Sequence, residues 1–257
     1  MNLAISHFAF DSYEEDEFFD SIQKIGFNNI EVVLQKIAPF KDLNEDIVYE
    51  YRQKLDKAGI KCIGLSGIFL DSPIKDFNQT TECFNHLTKV FDYAKILGAK
   101  SVVYSSPKMR KDWNFLKWFD LFTQCYTYLH TSDTQILIKP CAKMYGGEYF
   151  FNTFEIVKNL TFQPQWRRNV ATMVCTHNLQ MMDLNPNIDL VDNYDWIDYI
   201  HVSDFFMHSQ KFTEDHLTFA GTLNKMKYNK FITYDVMKQD GMIDSIKNFY
   251  KYYSTVY

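Results

Sequence analysis

The chain has 257 residues, with 27 Lys and Arg against 32 Asp and Glu, a formal net charge of −5. A hydrophobic content of 46%, with only nine Gly and six Pro, excludes disordered, collagen-like and low-complexity classes. The acidic balance argues against a general nucleic-acid or polyanion binder, and the length suffices for one large core or two modest ones.

Short apolar runs alternate along the chain with longer helical patterns. Strands are predicted at Leu3–Phe8, Asn29–Leu34, Lys61–Ser66, Ser101–Tyr104, Ile136–Ile138, Val170–Val174, Tyr199–Val202 and Phe231–Tyr234. A helix is predicted over Glu14–Ile25, with acidic residues in its first turn, where the helix dipole favours them. Gly26 stops it, and helices over Asp46–Ala58 and Thr80–Leu97 stop at Gly59 and Gly98 in the same way. Residues 115–130, FLKWFDLFTQCYTYLH, read as an aromatic helix packed on the sheet, with a subunit contact as the other reading. The tail FYKYYSTVY reads as a closing helix or as a homodimer contact. Successive strands start about 33 residues apart, the length of a βα unit. Eight such units use up residues 1–257 as a single (β/α)8 TIM barrel, one domain, with a doubly wound open sheet as the alternative.

No GxGxxG follows the first strand and no GxxxxGK[ST] occurs, so no nucleotide cofactor is expected. Cysteines stand at 62, 83, 125, 141 and 175, without a CxxC pair, which fits buried thiols in a reducing compartment. The start MNLAISHFAF lacks the basic and long apolar regions of a signal peptide. No run approaches the ~18 apolar residues of a membrane span. A cytoplasmic protein without a membrane partner is the expectation, and the sequons at Asn78 and Asn159 are then accidental.

In a barrel, chemistry gathers at the C-terminal ends of the strands. There the sequence offers His7, Glu31, the turn YSSPKMR with Ser106, Lys108 and Arg110, then Lys139, Cys175, His177, His201 with Asp204, and Asp235. Ionisable groups at so many strand ends exceed what a packed core needs. Each also has a plain reading: a structural histidine, a buried ion-pair partner at Glu31, solvated cations at Lys108 and Arg110. Met181, Met182 and Asp183 either line the pocket or pack.

Five segments in order resemble the xylose isomerase-like barrels, in the sugar phosphate isomerase/epimerase branch. GFNNIEVV is similar to the second-strand segment G-F-x-x-(I/V)-E, and YSSPKMR to the turn G-S-P-x-x-R, with Ser105 in the glycine's place. IKPCAKMYGGEYFFNT resembles E-P-x-x-x-x-Y-G-x-x-F-x-x-T, IDYIHVSD resembles H-x-S-(D/E), and EDHLTFAGTLNKMKYNKFITYDVM resembles the closing H…L…Y…E-M segment. The resemblance implies a small sugar or sugar phosphate as ligand and proton transfer next to a carbonyl, while the net charge of −5 argues against nucleic acid. It also implies a divalent metal on Glu, Asp, His and Glu of strands five to eight. Carried over residue by residue, the histidine is His201 and the last carboxylate is Asp235, one methylene shorter. The other two positions hold Lys139 and Cys175. His7, Ser106, Lys108, Arg110, His177 and His216 are the expected substrate-binding residues.

Manganese and magnesium want carboxylate oxygens, and a lysine in place of a glutamate changes the local charge by two units. The resemblance with this departure implies that the metal is lost or weak and that the Lys139 ammonium fills its place, paired with Asp235 and Glu31. A set of Cys175, His177, His201 and Asp235 would instead suit zinc by ligand type. Three readings follow. One is an isomerase or epimerase with Asp235 as base, Glu31 beside it, and Lys139 as electrophile or Schiff-base amine. The second is a barrel that keeps a sugar or metabolite pocket without turnover. The third, a DNA-repair endonuclease, needs several metals and many ligands, which seven histidines and a net charge of −5 do not favour.

Overall fold

The computed structural model describes residues 2–72, 74, 80–105, 115–130, 132–141, 168–182, 184–203 and 214–256. Eight strands form in chain order: β1 Leu3–Ser6, β2 Asn29–Val33, β3 Lys61–Ser66, β4 Ser101–Tyr104, β5 Gln135–Ile138, β6 Val170–Cys175, β7 Ile197–Val202 and β8 Phe231–Tyr234. All neighbours are parallel, and β8 pairs back onto β1, closing a single (β/α)8 barrel. The strands are buried almost throughout, as parallel strands with packing on both faces must be. β1 is two residues shorter than its apolar run, because His7–Ala9 turns into a 3-10 helix capped by Ser6.

The helices are amphipathic for a plain reason. Glu15–Ile25 buries Phe18, Phe19 and Ile22 on one face and keeps its acidic first turn toward the N-terminus. Each such side chain contributes about 1.5–3 kcal/mol of transfer free energy. Asn44 caps the next helix, Glu45–Lys57, accepting from the Ile47 N–H at 3.0 Å. Gly26 ends the first helix at φ 121°, a conformation that a side chain resists. A Cβ there would also meet Tyr250 Cε2 at 2.8 Å, so this turn seats the closing helix Met242–Tyr253. The helix Phe115–Leu129 buries Leu121, Phe122, Cys125 and Leu129 and leaves Leu116 and Phe119 exposed.

The core has two parts. Between sheet and helices lies a large apolar layer built from alternate strand residues such as Ile30, Val102, Ile136, Val174 and Ile200. Inside the barrel, Ala4, Ile63, Val103, Leu137, Ala171, Met173 and Tyr199 fill the axis. Alanines beside a tyrosine let the interior close around one large ring. Two register shifts mark the sheet, one between β2 and β3 at Ile30/Glu31, one between β6 and β7 at Thr172/Met173. All five cysteines are buried thiols outside any disulfide. No helix among the described residues is long and apolar enough to cross a membrane.

Candidate functional site at the strand ends

Four of the sequence candidates meet at the C-terminal end of the barrel. Glu31 stands inward on β2, opposite Ser6 on one side and Gly64 on the other. Gly64 carries no side chain, which leaves room for the carboxylate. His201 stands on β7 between Cys175 and Thr233, and Lys139 and Asp235 follow directly after β5 and β8. His201 Nε2 lies 2.8 Å from Glu31 Oε2, and its Nδ1 lies 2.8 Å from Asp235 Oδ2. Lys139 Nζ is 3.1 Å from the same Asp235 oxygen and 3.1 Å from His201 Nδ1. Exposure is 0% for Glu31, 1% for His201, 2% for Asp235 and 8% for Lys139, so water screens these charges little.

His201 Nε2 hydrogen-bonds with Glu31, while Nδ1 faces both the Asp235 oxygen and the Lys139 ammonium. Burial pulls the His201 pKa down, but Asp235 and Glu31 outweigh it and push it up to about 9. Burial likewise opposes the Lys139 charge, yet Cys175 and Asp235 raise its pKa above the usual lysine value. Burial would raise Asp235, but His201 and Lys139 hold its carboxyl well below the ordinary carboxylate range. The cluster is thus two carboxylates answered by two cations. Among the described residues, Glu31 Oε1 and Asp235 Oδ1 are buried and accept no hydrogen bond. Beneath them the Tyr199 hydroxyl sits 2.7 Å from Thr233 Oγ1, and burial together with Glu31 raises that phenol well above its usual value.

The ligand atoms of Glu31, His201 and Asp235 lie within 4.8 Å of one another, and Cys175 is not in that group. Cys175 is buried at the end of β6, with its Sγ 3.8 Å from Ser203 Oγ. His177 is buried in the first turn of the helix Thr176–Met181. His7 is fully buried and turned toward the flanking helices, stacked on Phe10, with Nε2 2.9 Å from Glu15 Oε1. Burial lowers its pKa, although Glu15 opposes this. Glu15 also accepts from the Tyr51 hydroxyl at 2.8 Å and from Lys54 at 2.6 Å. His216 sits apart on the helix Glu214–Lys225, bonded through Nδ1 to the Tyr253 hydroxyl at 2.8 Å. It lines a cleft of about 340 Å³ with Gln180, Asn187 and Asp215. Ser106, Lys108, Arg110, Asp183 and Asp204 lie outside the described residues, as do the sequons at Asn78 and Asn159.

Sequence reasoning missed Glu15, Tyr51 and Tyr199. Glu15 had a signal, since it is an acidic residue in a first helical turn, but that position is favourable on its own and points to no partner.

The fold and the site together define a barrel with ionisable groups gathered at its strand ends. The family model described as xylose isomerase-like TIM barrel matches residues 19–250, so the chain belongs to that family. Among solved structures, the Escherichia coli 3-keto-D-glucoside 4-epimerase YcjR is similar at TM-score 0.77 and 13% identity, covering 99% of each chain. An AP endonuclease, family 2, from Brucella melitensis is similar at 0.75 and 12% identity, covering 98% of this chain and 99% of that one. The IolI protein with a bound zinc atom is similar at 0.72 and 15% identity, covering 100% and 99%. Such identities show a shared fold, and a fold of this kind hosts many chemistries. No curated protein matches the chain in sequence.

Proposed function

We propose that the chain is a small-sugar protein of the isomerase and epimerase lineage, whose strand-end site works with a fixed ammonium in place of a divalent cation. One observation carries this reading: Lys139 Nζ lies 3.1 Å from Asp235 Oδ2. The carboxylate that would hold a dication is already neutralised. The remaining donors fit a divalent metal poorly. His201 Nε2 is engaged with Glu31, and Nδ1 is crowded by Asp235 and the Lys139 ammonium. Manganese or magnesium would need several further oxygens, and the ammonium would repel either ion. A zinc set through Cys175, His177, His201 and Asp235 meets the same obstacles at two of its four members.

A fixed ammonium can hold a sugar hydroxyl or polarise a carbonyl oxygen. The two unbonded carboxylate oxygens are buried acceptors without a donor among the described residues. The proton inventory favours recognition over turnover. Asp235, held low by two cations, is a weak base, and Lys139, held high, offers no free amine for a Schiff base. The pocket-without-turnover reading therefore stands first. An isomerase or epimerase with Asp235 as base and Lys139 as electrophile stands second, favoured by the free lone pairs on Asp235 Oδ1. The endonuclease relative lends little support, since one small cation site in a chain of net charge −5 suits DNA badly.

The test is metal content by elemental mass spectrometry on the unmodified protein and on Lys139→Glu. The unmodified chain should carry no stoichiometric manganese, zinc or cobalt, and the variant should gain one ion. Stoichiometric metal in the unmodified chain would overturn the reading. Proton NMR in deuterium oxide then separates the two versions. Deuterium entering a ketose next to its carbonyl means turnover, and saturable binding without exchange means a pocket alone.

A further inference from the structure

The opposite end of the barrel holds a second feature that the strand-end site does not use. Where the strands begin, a recess of about 540 Å³ opens between β1, β2, β3, β4 and β8. Its walls bring together Arg52, Lys61 and Lys100 against a single carboxylate, Asp56, with Asn28 and Phe231 beside them. Arg52 and Asp56 satisfy each other, with Nε 2.8 Å from Oδ2, and Arg52 also donates to the Leu97 carbonyl at 2.8 Å. Lys100 leans toward Asp133 at 3.3 Å, a carboxylate that Arg168 approaches at 3.7 Å from the other side. One anion there serves two cations. Lys61, the first residue of β3, is exposed and pairs with no carboxylate among the described residues. The recess therefore holds surplus positive charge in a chain whose total is −5. Concave walls concentrate such a field, because the protein around them is a poor dielectric.

We propose that this recess binds the phosphate group of a small anionic metabolite. Lys61 and Lys100 supply the charge, and the Asn28 amide supplies a neutral donor. Both lysines act as point charges on flexible stems, which suits a phosphate without demanding one approach angle. Ile63, Leu97 and Phe231 line the same recess. The site lies at the end of the barrel remote from Lys139 and Asp235, so its occupancy is separate from that of the sugar site.

The probe is inorganic pyrophosphate, titrated into the full chain by isothermal calorimetry at low ionic strength, with inorganic phosphate in parallel. One saturable site is expected, weaker for phosphate and weakened by added salt. Lys61→Ala should weaken pyrophosphate about five-fold, the loss of one screened charge contact at ~1 kcal/mol. Lys61→Ala with Lys100→Ala should remove measurable binding. Both side chains are exposed, so circular dichroism should show the variants folded. Amide shifts on titration should centre on Asn28, Lys61 and Gly98. Absence of saturable binding would overturn the proposal, and so would binding that survives in the double variant, which would be a diffuse surface effect.

Discussion

The two ends of this barrel use the same residue type in opposite ways. At the C-terminal end, Lys139 is nearly buried and locked against Asp235 and His201. At the N-terminal end, Lys61 is exposed and pairs with no carboxylate among the described residues. The first lysine completes a charge-balanced cluster, so its removal reaches the fold. The second adds to a surplus, so its removal reaches only what binds there. Burial and pairing, not residue identity, decide which kind of role a cation has.

The largest expected effect breaks the buried end. Asp235→Ala leaves an ammonium and an imidazolium buried with one carboxylate fewer. A loss of about 3–5 kcal/mol is expected, read from urea denaturation. A loss below ~1 kcal/mol would mean the cluster is more hydrated than its burial indicates.

The next effect is a pH window. His201 has its folded pKa near 9 against an ordinary 6.5. Its contribution is fully present below about pH 6.5 and is lost as pH rises through 9. The ceiling is ~3 kcal/mol. Asp235 runs the other way: its folded pKa is depressed, so its contribution is present above its ordinary 3.8 and fades as pH falls below that. Stability should therefore be greatest between about pH 4 and 6.5 for these two groups. Denaturation curves at pH 5, 7 and 9.5 check this, and a protein as stable at 9.5 as at 7 would contradict the paired imidazolium.

The smallest expected effect belongs to the open end. Lys61→Ala should change unfolding free energy by less than about 0.5 kcal/mol, as surface changes do. A larger loss would show that Lys61 serves the fold and would erase the contrast with Lys139.

Much of this was legible before any coordinates. The eight strands fall where the apolar runs stand, because a parallel strand buried on both faces must be apolar along its length. Helix ends were marked by Gly26, Gly59 and Gly98, all at positive φ. Glu31, Lys139, His201 and Asp235 were legible as strand-end residues, though not their mutual distances. Those depend on pairings across as many as 170 positions, which no local pattern records. The metal-ligand expectation grouped Cys175 with His201 and Asp235, whereas Glu31 is the residue in that company. The cause is lateral: β2 lies across the barrel from β7 in the strand order, and the interior brings them together. His216 read as a substrate-binding residue, and its helix places it in a cleft with Thr176, Gln180 and Asp215. His7 shows the same limit, since its nearest acid, Glu15, reads in the sequence as an ordinary helix start.

The two register shifts carry a further consequence. On β3 the pairing with β2 passes over Ile63, and on β7 the pairing with β6 passes over Asp198. Each extra residue works as a half-turn of phase, resetting which side chains face the axis beyond it. Asp198, at that step, turns out to meet Gln135 and Lys230, while Tyr199 and His201 turn in. In such a strand, position along the chain is a clock rather than a ruler. Counting by twos from Ile197, which packs outward, would place His201 outward as well, and the extra residue at Asp198 is what turns it in.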